Sequence, residues 1–69
     1  MTIQECKNNI PLNVKVKIDK IGLILNGTVS GAKLDFPVVM FENNGCLVTK
    51  EVSWACVSRA MTIGSCIMV

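Results

Sequence analysis

The sequence predicts an all-β fold, a small and strongly bent antiparallel sheet or barrel of about five strands. Three observations carry this reading. Val14-Lys15-Val16-Lys17-Ile18 alternates apolar and polar residues, the period-two signature of a half-buried strand. The apolar runs Val38–Phe41 and Cys46–Val48 flank Glu42-Asn43-Asn44-Gly45. Asn-Gly is the strongest short hairpin signal, because a type I′ turn needs positive φ at both central residues. Gly22, Gly27 and Gly31 recur at short intervals, as suits a strand that must turn a barrel corner.

At 69 residues the chain is one domain, near the lower limit at which a core holds itself together unaided. Hydrophobic residues make up 51% and charged residues 17%, which places it with globular chains and away from disordered ones. So small a body cannot hide that many apolar side chains. An apolar surface patch is therefore expected, and with it self-association or a protein partner. Seven Lys+Arg against five Asp+Glu give a net charge of +2, short of the excess that marks an electrostatic nucleic-acid binder. The surplus lies in the N-terminal half, where Lys7, Lys15, Lys17, Lys20 and Lys33 outnumber Glu5, Asp19 and Asp35.

Taken in order, residues 1–13 show no sustained period and contain Ile10-Pro11, which forbids a helix running through; they are expected to form a frayed N-terminal arm. A β-barrel-like domain follows over residues 14–61. Strand Val14–Ile18 closes at Asp19-Lys20. In Ile21–Ala32, Asn26-Gly27 is either a second hairpin turn or a bulge in one long bent strand, and the bent strand is preferred. Ala32–Asp35 reads as a short loop. Pro37 opens the next strand, where no ladder donor is needed. Beyond the central hairpin, Glu51–Ala55 is a strand end or a short helical turn, and Cys56–Met61 reads as the last strand of the domain. Residues 62–69 form an apolar tail or a further strand. No apolar window approaches the ~20 residues of a transmembrane helix.

The order of features resembles a small SH3-like barrel of the KOW or Tudor type. The residues that carry the resemblance are Val14-Lys15-Val16-Lys17, Gly27-Thr28-Val29-Ser30-Gly31, Pro37–Phe41 with Asn44-Gly45, and Val52–Val57. It covers roughly residues 14–59, and it implies a binding module for RNA, modified peptides or other proteins. The departure is in the aromatics: a Tudor-type cage needs several, and this chain has only Phe36, Phe41 and Trp54.

Reactive groups are sparse. The chain has no His, and Asp19, Asp35, Glu42 and Glu51 fall on separate loops or strand ends, so no acid–base pair is expected. The serines have no His to activate them. Gly27-x-x-x-Gly31 lacks the Lys-Ser/Thr that a phosphate cradle requires. Cys6, Cys46, Cys56 and Cys66 form no close-spaced ligand pair, which argues against a metal site and for reduced core thiols. Cys66-Ile67-Met68-Val69 fits the letters of a prenylation box without the polybasic stretch that accompanies one.

The expectation is a protein without enzymatic activity, cofactor or metal. The leading function is a cytoplasmic interaction module, an accessory protein or inhibitor of phage or plasmid type, acting through an apolar patch anchored by Trp54 and Arg59. The first alternative is an RNA- or DNA-binding barrel using a lysine face of Lys15, Lys17, Lys20 and Lys33. The second is a homo-oligomer that binds a small molecule at a subunit junction. No membrane partner is expected.

Overall fold

A computed structural model describes residues 1–31 and 35–69. Helix α1 (Ile3–Asn8) precedes four strands, β1 (Leu12–Ile18), β2 (Leu23–Ser30), β3 (Val38–Asn43) and β4 (Cys46–Glu51); helix α2 (Trp54–Ile63) and strand β5 (Ile67–Met68) complete the chain. The five strands lie in the order β4-β3-β2-β1-β5 and form one strongly curled sheet, a half-barrel. The β1–β2, β2–β3 and β3–β4 pairings are antiparallel, and β5 runs parallel to β1.

The register sorts the side chains into two faces, since directly opposed residues share a face. One row reads Val14, Gly27, Phe41 and Val48 across four strands; the next reads Leu12, Val29, Val39 and Lys50. These rows point inward. Val14, Val16, Val29, Val39, Phe41 and Ile67 join Cys6 of α1 and Trp54, Val57 and Ala60 of α2 in a single core. The alternation in β1 thus works as its sequence implied: valines in, lysines out.

Two glycines set the curvature and the reversal. Gly27 lies within the unbroken β2 ladder, paired with Val14 on one side and Phe41 on the other, so residues 26–27 make neither a hairpin turn nor a bulge. A Cβ at Gly27 would stand 2.7 Å from Val16 Cγ2 and 3.1 Å from the Met40 carbonyl oxygen, so the bent strand needs glycine at this contact. At the central hairpin Asn44 (φ 53°) and Gly45 (φ 79°) both take left-handed backbone, the I′ geometry anticipated from Asn-Gly.

Two expectations are corrected. Residues 1–13 are not a frayed arm. Thr2 caps α1 in a full capping box with Glu5, Cys6 is completely buried, and the Met1 carbonyl accepts hydrogen bonds from Ser58 and from Thr62 Oγ1, the latter at 2.9 Å. Cys56–Met61 is not a strand but the middle of α2, and the last strand is β5 instead. Ser53 accepts from the Cys56 N–H as N-cap, Gly64 takes the left-handed C-cap, and Trp54, Val57 and Ala60 recur at the three-residue spacing that puts them on one buried helix face.

The C-terminal residues belong to the body of the sheet. Val69 N–H donates to the Lys17 carbonyl at 3.0 Å, the Asp19 N–H donates to the Val69 carbonyl at 3.1 Å, and Ile67 is fully buried beside Val16. The aliphatic positions of the prenylation-like box are therefore ladder and core. No helix among the described residues is long and apolar enough to cross a membrane.

Candidate functional site

The expected anchors do not meet. Trp54 is 8% exposed, part of the core, and the Lys7 ammonium lies 5.5 Å from its ring centroid on the side of α1. Its Nε1–H has no hydrogen-bond partner. Arg59 is exposed on the same helix but five residues away, which turns it about 140° from Trp54. The two side chains face different surroundings.

Phe36, Leu47 and Ile63 are exposed at separate places, whereas a cluster of exposed apolar side chains lies at the closed end of the β1–β2 hairpin. Ile21 (68% exposed), Leu23, Ile24 and Met68 gather there. Register explains the proximity: on the outer face Lys17 is paired with Ile24 of β2 and with Met68 of β5, so two apolar side chains flank one lysine stem. Leu23 opposes Ile18 on the inner face, and Ile21 lies in the turn that Gly22 closes by donating to the Ile18 carbonyl at 2.8 Å. The backbone here is also incompletely paired. β2 meets β1 from Leu23 to Val29 but meets β3 only from Gly27 to Ser30, leaving Leu23–Asn26 without a strand on that side among the described residues.

Three of the four expected lysines are described; Lys33 lies outside the described residues. Lys15 and Lys17 share the outer face of β1, and Lys20 is exposed in the following turn. They do not form a uniform basic stripe. Lys17 is half-buried between Ile24 and Met68, while Lys15 Nζ donates to Asn26 Oδ1 at 2.5 Å on the neighbouring strand.

Lys15 also belongs to the lining of a surface cleft of about 590 Å³. Residues 13–15 of β1 and 26–28 of β2 line it together with Ala60 and Met61 of α2 and with Gly64 and Ser65 of the α2–β5 connection, so it opens between the helix and the inner face of the sheet. A second cleft, of about 340 Å³, lies beside Phe36 and Val52. All four cysteines are described and all are free thiols; Cys6 is buried and Cys46 exposed. Among the described residues no three His, Cys, Asp or Glu side chains converge as metal ligands would.

Sequence reasoning missed the rim of Ile21, Leu23, Ile24 and Met68. Its signal was available in Ile21-Gly22-Leu23-Ile24, four residues of which three are large and apolar at a glycine turn. Met68 joins them only through the non-local β1–β5 pairing. No family model, curated protein or solved structure matches the chain.

Proposed function

We propose that this protein is a non-enzymatic interaction module that binds a protein partner through the apolar rim at the closed end of the β1–β2 hairpin. The observation that carries the reading is the clustering of Ile21, Leu23, Ile24 and Met68, each 41–68% exposed, on one end of a 69-residue domain. Lys17 and Lys20 edge this rim beside one acidic side chain, Asp19. The partner surface that complements it is apolar with an acidic fringe. The curled five-stranded sheet suits a small binding barrel of the SH3-like kind, whose members present surfaces to peptides or proteins. Free thiols fit a reducing cytoplasm, and the size fits the accessory proteins and inhibitors of phages and plasmids.

The test substitutes the two outward-facing rim residues together, Ile24→Asp and Met68→Asp, and checks the fold by circular dichroism. Affinity capture from the native host with mass readout, and sedimentation over a range of concentrations, then compare the pair with the wild-type chain. The wild type is expected to hold a protein partner or a second copy, and the folded double variant to lose it. A wild-type chain that stays monomeric and captures no protein, or a folded double variant that captures as much as the wild type, overturns the reading.

A further inference from the structure

The two edges of the sheet are finished differently. β5 covers β1, whereas among the described residues no strand pairs with the far side of β4. Asn43 and Cys46 flank the two-residue turn as a hydrogen-bonded pair, so Val48 and Lys50 also direct their backbone groups to β3. The Val52 N–H continues that ladder to the Pro37 carbonyl at 3.1 Å. Leu47, Thr49 and Glu51 therefore direct their N–H and C=O groups outward.

Such an edge is usually blunted by proline, a bulge or a covering element. Here the β4 sequence has no proline, and its register against β3 is unbroken. Leu47, at 73%, is the most exposed large apolar side chain among the described residues. The edge is thus a template for another strand, and its own residues decide which strand fits.

In an antiparallel pair of β4 strands related by a two-fold axis at Val48, Val48 faces Val48 of the second copy and Leu47 faces Thr49. Lys50 then lies opposite Cys46, and Glu51 opposite Gly45. Apolar and β-branched residues meet at the axis, and each charge faces a small neutral residue. The two Leu47 side chains are diagonal neighbours, about 7 Å apart. Moving the axis to Thr49 would set Lys50 against Val48 and Glu51 against Leu47. Moving it to Leu47 would shorten the overlap to the turn. We propose that this chain forms a two-fold homodimer by antiparallel pairing of its β4 edges about Val48. This surface is separate from the apolar rim.

The test is sedimentation of the full chain over a range of concentrations, with circular dichroism to check the fold. The wild type is expected to pass from monomer to dimer between about 10 µM and 1 mM, as suits a small interface. Thr49→Pro removes an N–H that β3 does not use, so it keeps the sheet and stays monomeric. Leu47→Lys leaves the backbone intact, brings like charges together across the axis and weakens the dimer at least tenfold. The rim variant, Ile24→Asp with Met68→Asp, dimerises like the wild type. Lys50→Cys reports the register. It faces Cys46 of the second copy as a non-hydrogen-bonded pair, with Cα atoms about 4.5 Å apart, within disulfide reach. Oxidised glutathione is expected to convert it to a covalent dimer. The wild type does not convert, since its two Cys46 residues stand about four positions apart, on the order of 13 Å. A wild type that stays monomeric throughout, a folded Thr49→Pro or Leu47→Lys variant that dimerises like the wild type, a rim variant that loses the dimer, or a Lys50→Cys variant that cross-links no more than the wild type overturns the proposal.

Discussion

Gly27 shows how one atom can govern the curvature of the sheet. Its missing Cβ is the space in which Val16 Cγ2 packs, and Val16 is itself fully buried and has nowhere to retreat. Gly27→Ala is expected to cost about 1–3 kcal/mol of overpacking. In a domain of this size that lowers Tm by roughly 5–20 °C, and a melting curve unmoved by the substitution would refute the account. Trp54 makes a complementary point. Its truncation to Ala removes about 3–5 kcal/mol, comparable to the whole stability a core this small supplies. Loss of binding in Trp54→Ala would therefore report unfolding, and the rim residues are the proper probes of an interface. Trp54→Phe discards an N–H that has no partner, and it is expected to stay folded. That Gly27 marks a bend was legible in the sequence; that Val16 is what fills its space was not, because the contact is set by the β1–β2 register.

Both helices are built from strong local signals around weak cores. In α2 the Ser53 hydroxyl accepts from the Cys56 N–H at 3.1 Å, so Ser53→Ala is expected to cost about 1 kcal/mol, read as a shifted denaturation midpoint with unchanged slope. In α1 the Glu5 carboxylate accepts from the Thr2 backbone N–H and from its hydroxyl, and these bonds hold its pKa below the usual carboxylate value. The sign follows directly. A carboxyl that is harder to protonate when folded contributes stability above the ordinary carboxylate range and loses it as pH falls through its lowered value. Glu5→Gln is expected to flatten the acid limb of a stability profile measured from about pH 3 to pH 7; an acid limb identical to the wild type would contradict the capping box. The markers of α2, Ser53, Gly64 and the 54-57-60 spacing, were all present in the sequence. They were outweighed by a continuous apolar composition that a short strand shares with a buried helix.

For the molecule as a whole, stability depends on a two-residue strand. β5 covers the edge of β1, and Ile67 fills the core beside Val16, so the last turn of chain is structural. Ile67→Ala is expected to cost about 2–5 kcal/mol and to leave much of the protein unfolded at room temperature, as seen by loss of dispersed amide resonances. A well-folded Ile67→Ala variant would mean that β5 is dispensable. The same strand shapes the outer surface, because Met68 completes the apolar rim through its pairing with Lys17. One short non-local contact thus supports both the core and the surface assigned to partner binding.

The sequence by itself determined what is local: the period-two alternation of β1, the I′ reversal at Asn44-Gly45, the glycine-marked bend of β2, and an apolar content too high for so small a body to conceal. These follow from side-chain alternation, allowed backbone angles and composition, none of which needs a distant partner. Only the tertiary structure decided that residues 54–63 coil and that residues 67–68 pair parallel to β1, placing Met68 beside Ile24. A helical face is stable only against a sheet that receives it, and a two-residue strand only against an edge that needs covering.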